Sequence, residues 1–320
     1  MLRKLRPVLM MCVAACAGAV FAQDAGPVKL VIAFPPGGPV DFVARVLAEG
    51  LAKEAGQPVV VENRAGANGG VSAQAVARSA PDGMTLWLSS AGAVVINPAL
   101  YGSLTYDVQR DFVPVSLVVN NVEVLVVNPA NPANSVTDLV AQSKQKQDPM
   151  PIASTGIGSM PHLAMEQLAD ASGAKLLHVP YKGAAPAITD VMGGQVVGFF
   201  GDIPGLIGFI KGGKLKALGI AAPARNPVLP DVRTLDEQGI RGVDSNNWYG
   251  LFAPAKTPPA RIEQINAAVR RVLTSEPYRQ RLLDAGAEPM PSSPEQLAVL
   301  VRADTVKWGR IIRDKKIKAE

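Results

Sequence analysis

The sequence predicts an α/β fold of two lobes built on mostly parallel sheets, and three observations carry that prediction. Short β-branched runs alternate with longer helix-like segments from Val28 onward, which is the rhythm of βαβ units whose sheet is covered on both faces. The chain is 320 residues long, a length at which a single core stops growing and chains divide into domains. Two proline-rich stretches, Asn128-Pro129-Ala130-Asn131-Pro132 and Ala222 to Asp231, interrupt the alternation.

The elements follow in order. A strand over Val28 to Phe34 leads to a helix over Asp41 to Ala55 and a strand over Pro58 to Glu62. Further strands are expected over Thr85–Ser90, Val113–Val119, Val122–Val127, Leu176–Val179, Val196–Phe200, Leu215–Ile220 and Trp248–Ala253. Pro81-Asp82-Gly83 reads as a turn, and Thr257-Pro258-Pro259 reads as the entry to a helix over Ala260 to Thr274. Ser135-Val136-Thr137-Asp138 and Ser293-Pro294-Glu295-Gln296 have the spacing of helix capping boxes. If the chain crosses between lobes at both proline-rich stretches, residues 128–231 form one lobe. That lobe is inserted into a discontinuous one made of 23–127 and 232–320, and two strands form the hinge.

The first 22 residues read as a secretory signal peptide: Arg3, Lys4 and Arg6, an apolar stretch from Val8 to Phe21, then Val20-Phe21-Ala22 before Gln23. The apolar stretch falls short of the roughly 20 residues that a membrane-spanning helix needs. Val13-Ala14-Ala15-Cys16 loosely fits a lipoprotein box, but the apolar run continuing to Ala22 argues against a polar tether after Cys16. Cleavage after Ala22 leaves 298 residues and removes Cys12 and Cys16, the only cysteines, so no disulfide or thiolate chemistry is expected. The formal charge of +5 includes three cations of the leader, which leaves +2 and gives no electrostatic basis for binding nucleic acid.

Chemistry on a substrate finds little support. Only His162 and His178 are available as imidazole bases, with no Gly-x-Ser-x-Gly elbow and no Ser-x-x-Lys. Their 16-residue separation is not a metal-ligand spacing, and no acidic loop resembles a calcium site. Gly156-Ile157-Gly158 matches only the start of a dinucleotide fingerprint. No catalytic residue, metal or cofactor is therefore assigned.

What remains are loops at the carboxyl ends of expected strands, where open parallel sheets bind ligands. In Pro35-Pro36-Gly37-Gly38-Pro39-Val40-Asp41, glycine N–H groups and a helix N-terminus can hold a carboxylate without an arginine. The same residues can equally form a tight turn with Asp41 as the helix cap. A second loop, Ala153 to His162, mirrors the first. Ser154, Thr155 and Gly156 precede a helix starting near Pro161, with Ser159 either the N-cap or a ligand contact. Ser89-Ser90-Ala91-Gly92 and Val179-Pro180-Tyr181-Lys182-Gly183 are further candidates. Asp202 either caps a helix from Ile203 or recognises a polar group of a ligand.

A series of short motifs runs through the chain in one order: Phe34-Pro35-Pro36-Gly37-Gly38 with Asp41, Val60-Val61-Glu62-Asn63-Arg64 with Gly66, Ala80-Pro81-Asp82-Gly83, and Asn97-Pro98-Ala99-Leu100-Tyr101. They continue with Tyr106-Asp107, Arg110-Asp111-Phe112, Val179-Pro180-Tyr181-Lys182-Gly183, Gly193-Gly194-Gln195 and Trp248-Tyr249-Gly250. Together they make the chain resemble the Bug family of periplasmic solute-binding proteins, the extracytoplasmic receptors of tripartite tricarboxylate transporters.

The resemblance implies a type II-like Venus-flytrap fold and a monomer that binds a small organic carboxylate without transforming it. The membrane partner it implies is a two-component permease; the ectodomain of a sensor kinase is the alternative partner, and an enzyme on the same scaffold is the alternative activity. By position, it implies a cleft lined by Phe34, Gly37, Gly38, Asp41, Ser90 and Ala91 from one lobe. Ser154, Thr155, Gly156, Ser159, Tyr181 and Asp202 would contribute from the other. Pro39-Val40, Ile157 and Ile203 stand where the family pattern is more polar, so a ligand with an apolar body, aromatic or medium-chain, is expected over citrate or an amino acid.

Overall fold

A computed structural model describes residues 26–243 and 245–318; the expected signal peptide, with Cys12 and Cys16, lies outside the described residues. The first lobe begins with β1 (Val28–Ile32), α1 (Pro39–Ala55), β2 (Val59–Asn63), α2 (Gly70–Ala77), β3 (Thr85–Ser90), two four-residue helices, α3 (Asn97–Leu100) and α4 (Val108–Asp111), and the long β4 (Phe112–Asn121). The second holds β5 (Glu123–Val127), α5 (Val136–Gln145), β6 (Met150–Ser154), α6 (Met160–Ser172), β7 (Leu176–Pro180), α7 (Ala184–Met192), β8 (Gly198–Asp202), α8 (Ile203–Lys211) and β9 (Lys216–Ile220). The chain then returns through β10 (Asn247–Pro254), α9 (Pro259–Thr274), α10 (Glu276–Asp284), β11 (Glu288–Pro289) and α11 (Pro294–Asp314).

Each lobe is one sheet with apolar clusters on both faces. The first sheet has the order β11-β4-β10-β3-β1-β2 and the second β7-β6-β8-β5-β9. The near-continuous apolar runs of Val28–Ile32 and Glu123–Val127 follow from this, because a strand covered on both faces does not alternate. On the first sheet, Leu30 and Ile32 pack toward α1 and α9, while Val31 and Trp87 face α2 and α11. On the second, Leu125 and Val127 face one cluster and Val124 and Val126 the other.

Two expectations need correction. Both sheets are mixed instead of mostly parallel: β1 pairs in parallel with β2 and β3, and β6 with β7 and β8, but β10 runs antiparallel to β3 and β4, and β5 antiparallel to β8 and β9. β5 and β10 each follow a lobe crossing and enter their sheet from the opposite end to the βαβ strands; the short β11 also runs antiparallel to β4. The boundaries also move. Glu123–Val127 pairs with β8 and β9 and so belongs to the second lobe, not the first. Leu235, Ile240 and Val243 pack in that lobe's core, so the return crossing follows residue 243 and not residue 231. The second lobe therefore covers roughly 122–243, and the hinge lies at Asn121–Glu123 and just before Asn247.

The helix caps follow the sequence. The Ser135 hydroxyl accepts from the Asp138 N–H, and Ser293 and Gln296 bond reciprocally as a full capping box.

Candidate functional site

The lobes close on a cleft of about 450 Å³, its open mouth included, at the carboxyl ends of β1, β3, β6, β7 and β8. First-turn or cap residues of four helices line it: Gly38, Pro39 and Val40 at α1, Ser159, Met160 and Pro161 at α6, Ala184 and Ala185 at α7, and Asp202 at α8. Phe34, Pro35, Pro36, Ser90, Thr155 and Asn247 complete the lining. No Lys, Arg or His is among these residues. A helix N-terminus carries about half a positive charge and unsatisfied N–H donors. Any attraction of this cleft for an anion therefore comes from backbone alone.

The lobe-one loop is braced by charge. Gly37 is left-handed at φ 84°, a conformation that a side chain resists, and its N–H donates to Asp41 Oδ2 at 3.1 Å. The other ligands of Asp41 are Arg45 Nε at 2.8 Å, Arg45 Nη2 at 3.0 Å and Asn63 Nδ2 at 2.9 Å. Burial alone would raise the Asp41 pKa, but Arg45, Asn63 and Gly37 together outweigh it and hold the carboxyl below its ordinary range. Asp41 thus neither caps α1, whose N-cap is Gly38, nor lines the cleft. Its carboxylate is consumed in shaping the loop. Phe34 and Gly38 do line the cleft; Gly37 does not.

The lobe-two loop is braced by neutral groups. Ser154 Oγ lies 2.6 Å from His178 Nε2, and it accepts from the Gly156 N–H at 3.1 Å. The His178 ring stacks on His162 with centroids 3.8 Å apart and planes 9° from parallel. Burial and the neighbouring His162 push the His178 pKa down to about 3, so the stacked ring is neutral. Ser159 is the N-cap of α6 and still faces the cleft. Ser154 and Gly156 stand behind Thr155, which is the residue that reaches the lining. The Tyr181 hydroxyl donates to Asp190 at 2.6 Å and is not in the lining.

Beneath both loops lies a buried polar floor. Ser90 borders the cleft, whereas Ala91 is fully buried at the start of a π-helical turn over Gly92–Ile96. Asp202 does not cap α8 with its side chain. Its carboxylate instead accepts from Tyr249 Oη at 2.5 Å and from Asn247 Nδ2 at 3.1 Å, so strand β10 of the first lobe is tied to strand β8 of the second. Glu123, the cross-strand partner of Asp202, is fully buried beside it.

Sequence reasoning missed Asn247, which follows Asn246 at the start of the apolar run Trp248–Ala253 and carries no local sign of a ligand contact. It also missed the α7 N-terminus, because Ala184 and Ala185 contribute backbone and no functional group. Of the three positions expected to make the pocket less polar, only Pro39-Val40 lies in the lining. Ile157 stands outside it, with its carbonyl accepting from Tyr101 Oη at 3.3 Å, and Ile203 is buried against Gly286.

Contacts outside the cleft lining also join the lobes. Asn68 Nδ2 donates to the Gly158 carbonyl at 2.7 Å, and Lys315 pairs with Asp170. Gly158, at φ 76°, has a backbone conformation that a side chain resists, and a Cβ there would come within 2.7 Å of the Leu100 side chain.

The chain matches the family model described as the tripartite tricarboxylate transporter family receptor over residues 43–317. Among curated proteins it is 36% identical to protein BugT of Bordetella pertussis, over 91% of this chain and 89% of that one. Among solved structures it superposes on an R. palustris protein with adipate at a TM-score of 0.89, with 29% identity over 92% of this chain and 99% of that one. MatC from Rhodopseudomonas palustris with bound malate matches at a TM-score of 0.85, with 34% identity over 90% of this chain and 99% of that one. The two mixed α/β lobes, the cleft between them and a model match over most of the length agree: this chain belongs to the tripartite tricarboxylate transporter receptor family of periplasmic solute-binding proteins.

Proposed function

We propose that this protein, exported to the periplasm by its first 22 residues, captures a small organic carboxylate with an apolar body and hands it unchanged to a membrane permease. One observation carries the reading: four helix N-termini from two lobes ring a cleft whose lining contains no side-chain cation. Such a cleft favours an anion through N–H donors and dipoles. The walls, Phe34, Pro35, Pro36, Pro39, Val40, Met160 and Pro161, favour hydrocarbon. Adipate and malate in two relatives support the carboxylate class, and the walls favour an adipate-like or aromatic body over citrate.

The energetics suffice without a guanidinium. About four charge-assisted hydrogen bonds at roughly 1.5–3 kcal/mol each, roughly 6–12 kcal/mol together, match the roughly 8 kcal/mol of micromolar affinity, and burial of the ligand's apolar body adds to them against the ordering costs. A ligand that touches both lobes binds the closed form better than the open one, and that difference is what a membrane partner reads.

A thermal-shift screen of aliphatic and aromatic carboxylic acids, followed by calorimetry, tests the reading. Micromolar binding of a medium-chain or aromatic acid, recovered unchanged by mass spectrometry after incubation, is expected. Binding of citrate or glutamate alone, or conversion of the acid, would overturn it.

A further inference from the structure

The floor of the cleft buries two acids with no cation beside them. Glu123 and Asp202 are 0% and 7% exposed, and they sit opposite each other on β5 and β8. The groups that act on the pair from the packed elements are Asn247 and Tyr249 on β10; among the described residues no Lys, Arg or His does so. The available donors turn toward Asp202: Tyr249 Oη and Asn247 Nδ2 both serve it, and the same Nδ2 reaches Glu123 Oε1 only at 3.4 Å. Glu123 Oε2 is buried with no hydrogen-bond donor. Two ionised carboxyls cannot share such a site, so the pair holds a proton. Of the two, only Asp202 reaches the cleft lining.

We propose that the Glu123–Asp202 pair sets the specificity of the cleft by linking capture of a carboxylate to uptake of one proton from solvent at Asp202. This rests on the carboxylate-binding reading above. Glu123 keeps its proton throughout, held neutral by burial and by the Asp202 charge. Asp202 is the group that changes. Burial raises its pKa to about 6 in the free protein, so it is largely ionised at neutral pH. An arriving anion, gripped by the helix N-termini a few ångströms away, adds a like charge and raises that pKa further. Protonated Asp202 then offers the ligand an O–H donor where its carboxylate would repel. The same floor discriminates in the opposite sense for an amine-bearing ligand, which would need Asp202 ionised.

The test measures binding of whichever of adipate and phenylacetate binds more tightly, at pH 6 and pH 8, where both are largely ionised. Calorimetry in buffers of different ionisation enthalpy then counts protons. Affinity is expected to be about tenfold or more tighter at pH 6, with uptake approaching one proton at neutral pH. Asp202→Asn should remove the pH slope and bind at least as tightly as the native protein at pH 8. Glu123→Gln, which stays neutral and keeps a donor against Asp202, serves as the second variant and should retain the slope.

A ligand-free arm follows the Asp and Glu side-chain carboxyl carbons by NMR, assigned with the two variants. One carboxyl of the pair should titrate near or above pH 6. Two carboxyls ionised by pH 5, a flat affinity, tighter binding at pH 8, or a slope that survives Asp202→Asn would overturn the proposal. A retained proton together with no binding of any carboxylate at either pH would instead sink the functional reading, and the linkage with it.

Discussion

The two glycine-rich loops occupy matching places in the two lobes, yet they are held rigid by opposite means. In lobe one, a single carboxylate, Asp41, gathers the Gly37 N–H, Asn63 and Arg45. In lobe two, a hydroxyl, the neutral His178 ring and the His162 ring stacked on it do the equivalent work around Gly156 and Gly158. Neither solution places a formal charge in the cleft lining. The comparison teaches that a loop can be preorganised for an anion by charge only where that charge is already neutralised by a partner; otherwise the brace must be uncharged.

Removing the charged brace should produce the largest effect. Asp41→Ala leaves the Gly37 N–H and the Asn63 carboxamide without their acceptor, an expected cost of about 2–3 kcal/mol, measurable by urea unfolding, and should weaken ligand binding at least about tenfold through the loosened loop. Ser154→Ala should cost about 1 kcal/mol, a single neutral hydrogen-bonding group, with a smaller loss of affinity. Arg45→Gln should cost least, below about 1 kcal/mol, because Arg45 is 56% exposed while Asn63 and Gly37 still hold Asp41.

Acid should separate the braces by pH. His178 has a folded pKa depressed to about 3 from an ordinary 6.5, so its neutral form contributes stability above pH 6.5 that is lost as pH falls toward 3. Asp41 is depressed from 3.8, so its contribution is full above that value and lost only below it. Melting temperatures followed from pH 7 to pH 3 should show an early decline that His178→Gln flattens. A native-like early decline in His178→Gln would break the assignment.

Much of this was legible beforehand because it depends on local pattern. Strand Thr85–Ser90 and the Ser293 capping box lie where composition places them, since burial on both faces and backbone donors leave local signatures. The lobe boundaries were misplaced because Val122–Val127 continues the apolar texture of the preceding strand, and only sheet pairing separates them. Asn128-Pro129 turns the chain within a lobe, not between lobes. Asp202 shows the same limit: an acid before Ile203-Pro204 reads as a helix cap, and only the return of Asn247 and Tyr249 from 45 and 47 residues away claims it for the floor. Asp41, placed in the cleft by position, was likewise claimed by Asn63 and Arg45.

The central claim is that backbone N–H groups and helix N-termini, with no side-chain cation, hold the acid group of the ligand. A crystal structure of the protein with its best-binding carboxylate tests it directly. The account predicts carboxylate oxygens within about 3 Å of N–H groups in the first turns of α1, α6 or α7, directly or through one water. A carboxylate seated against a lysine or arginine side chain would contradict it.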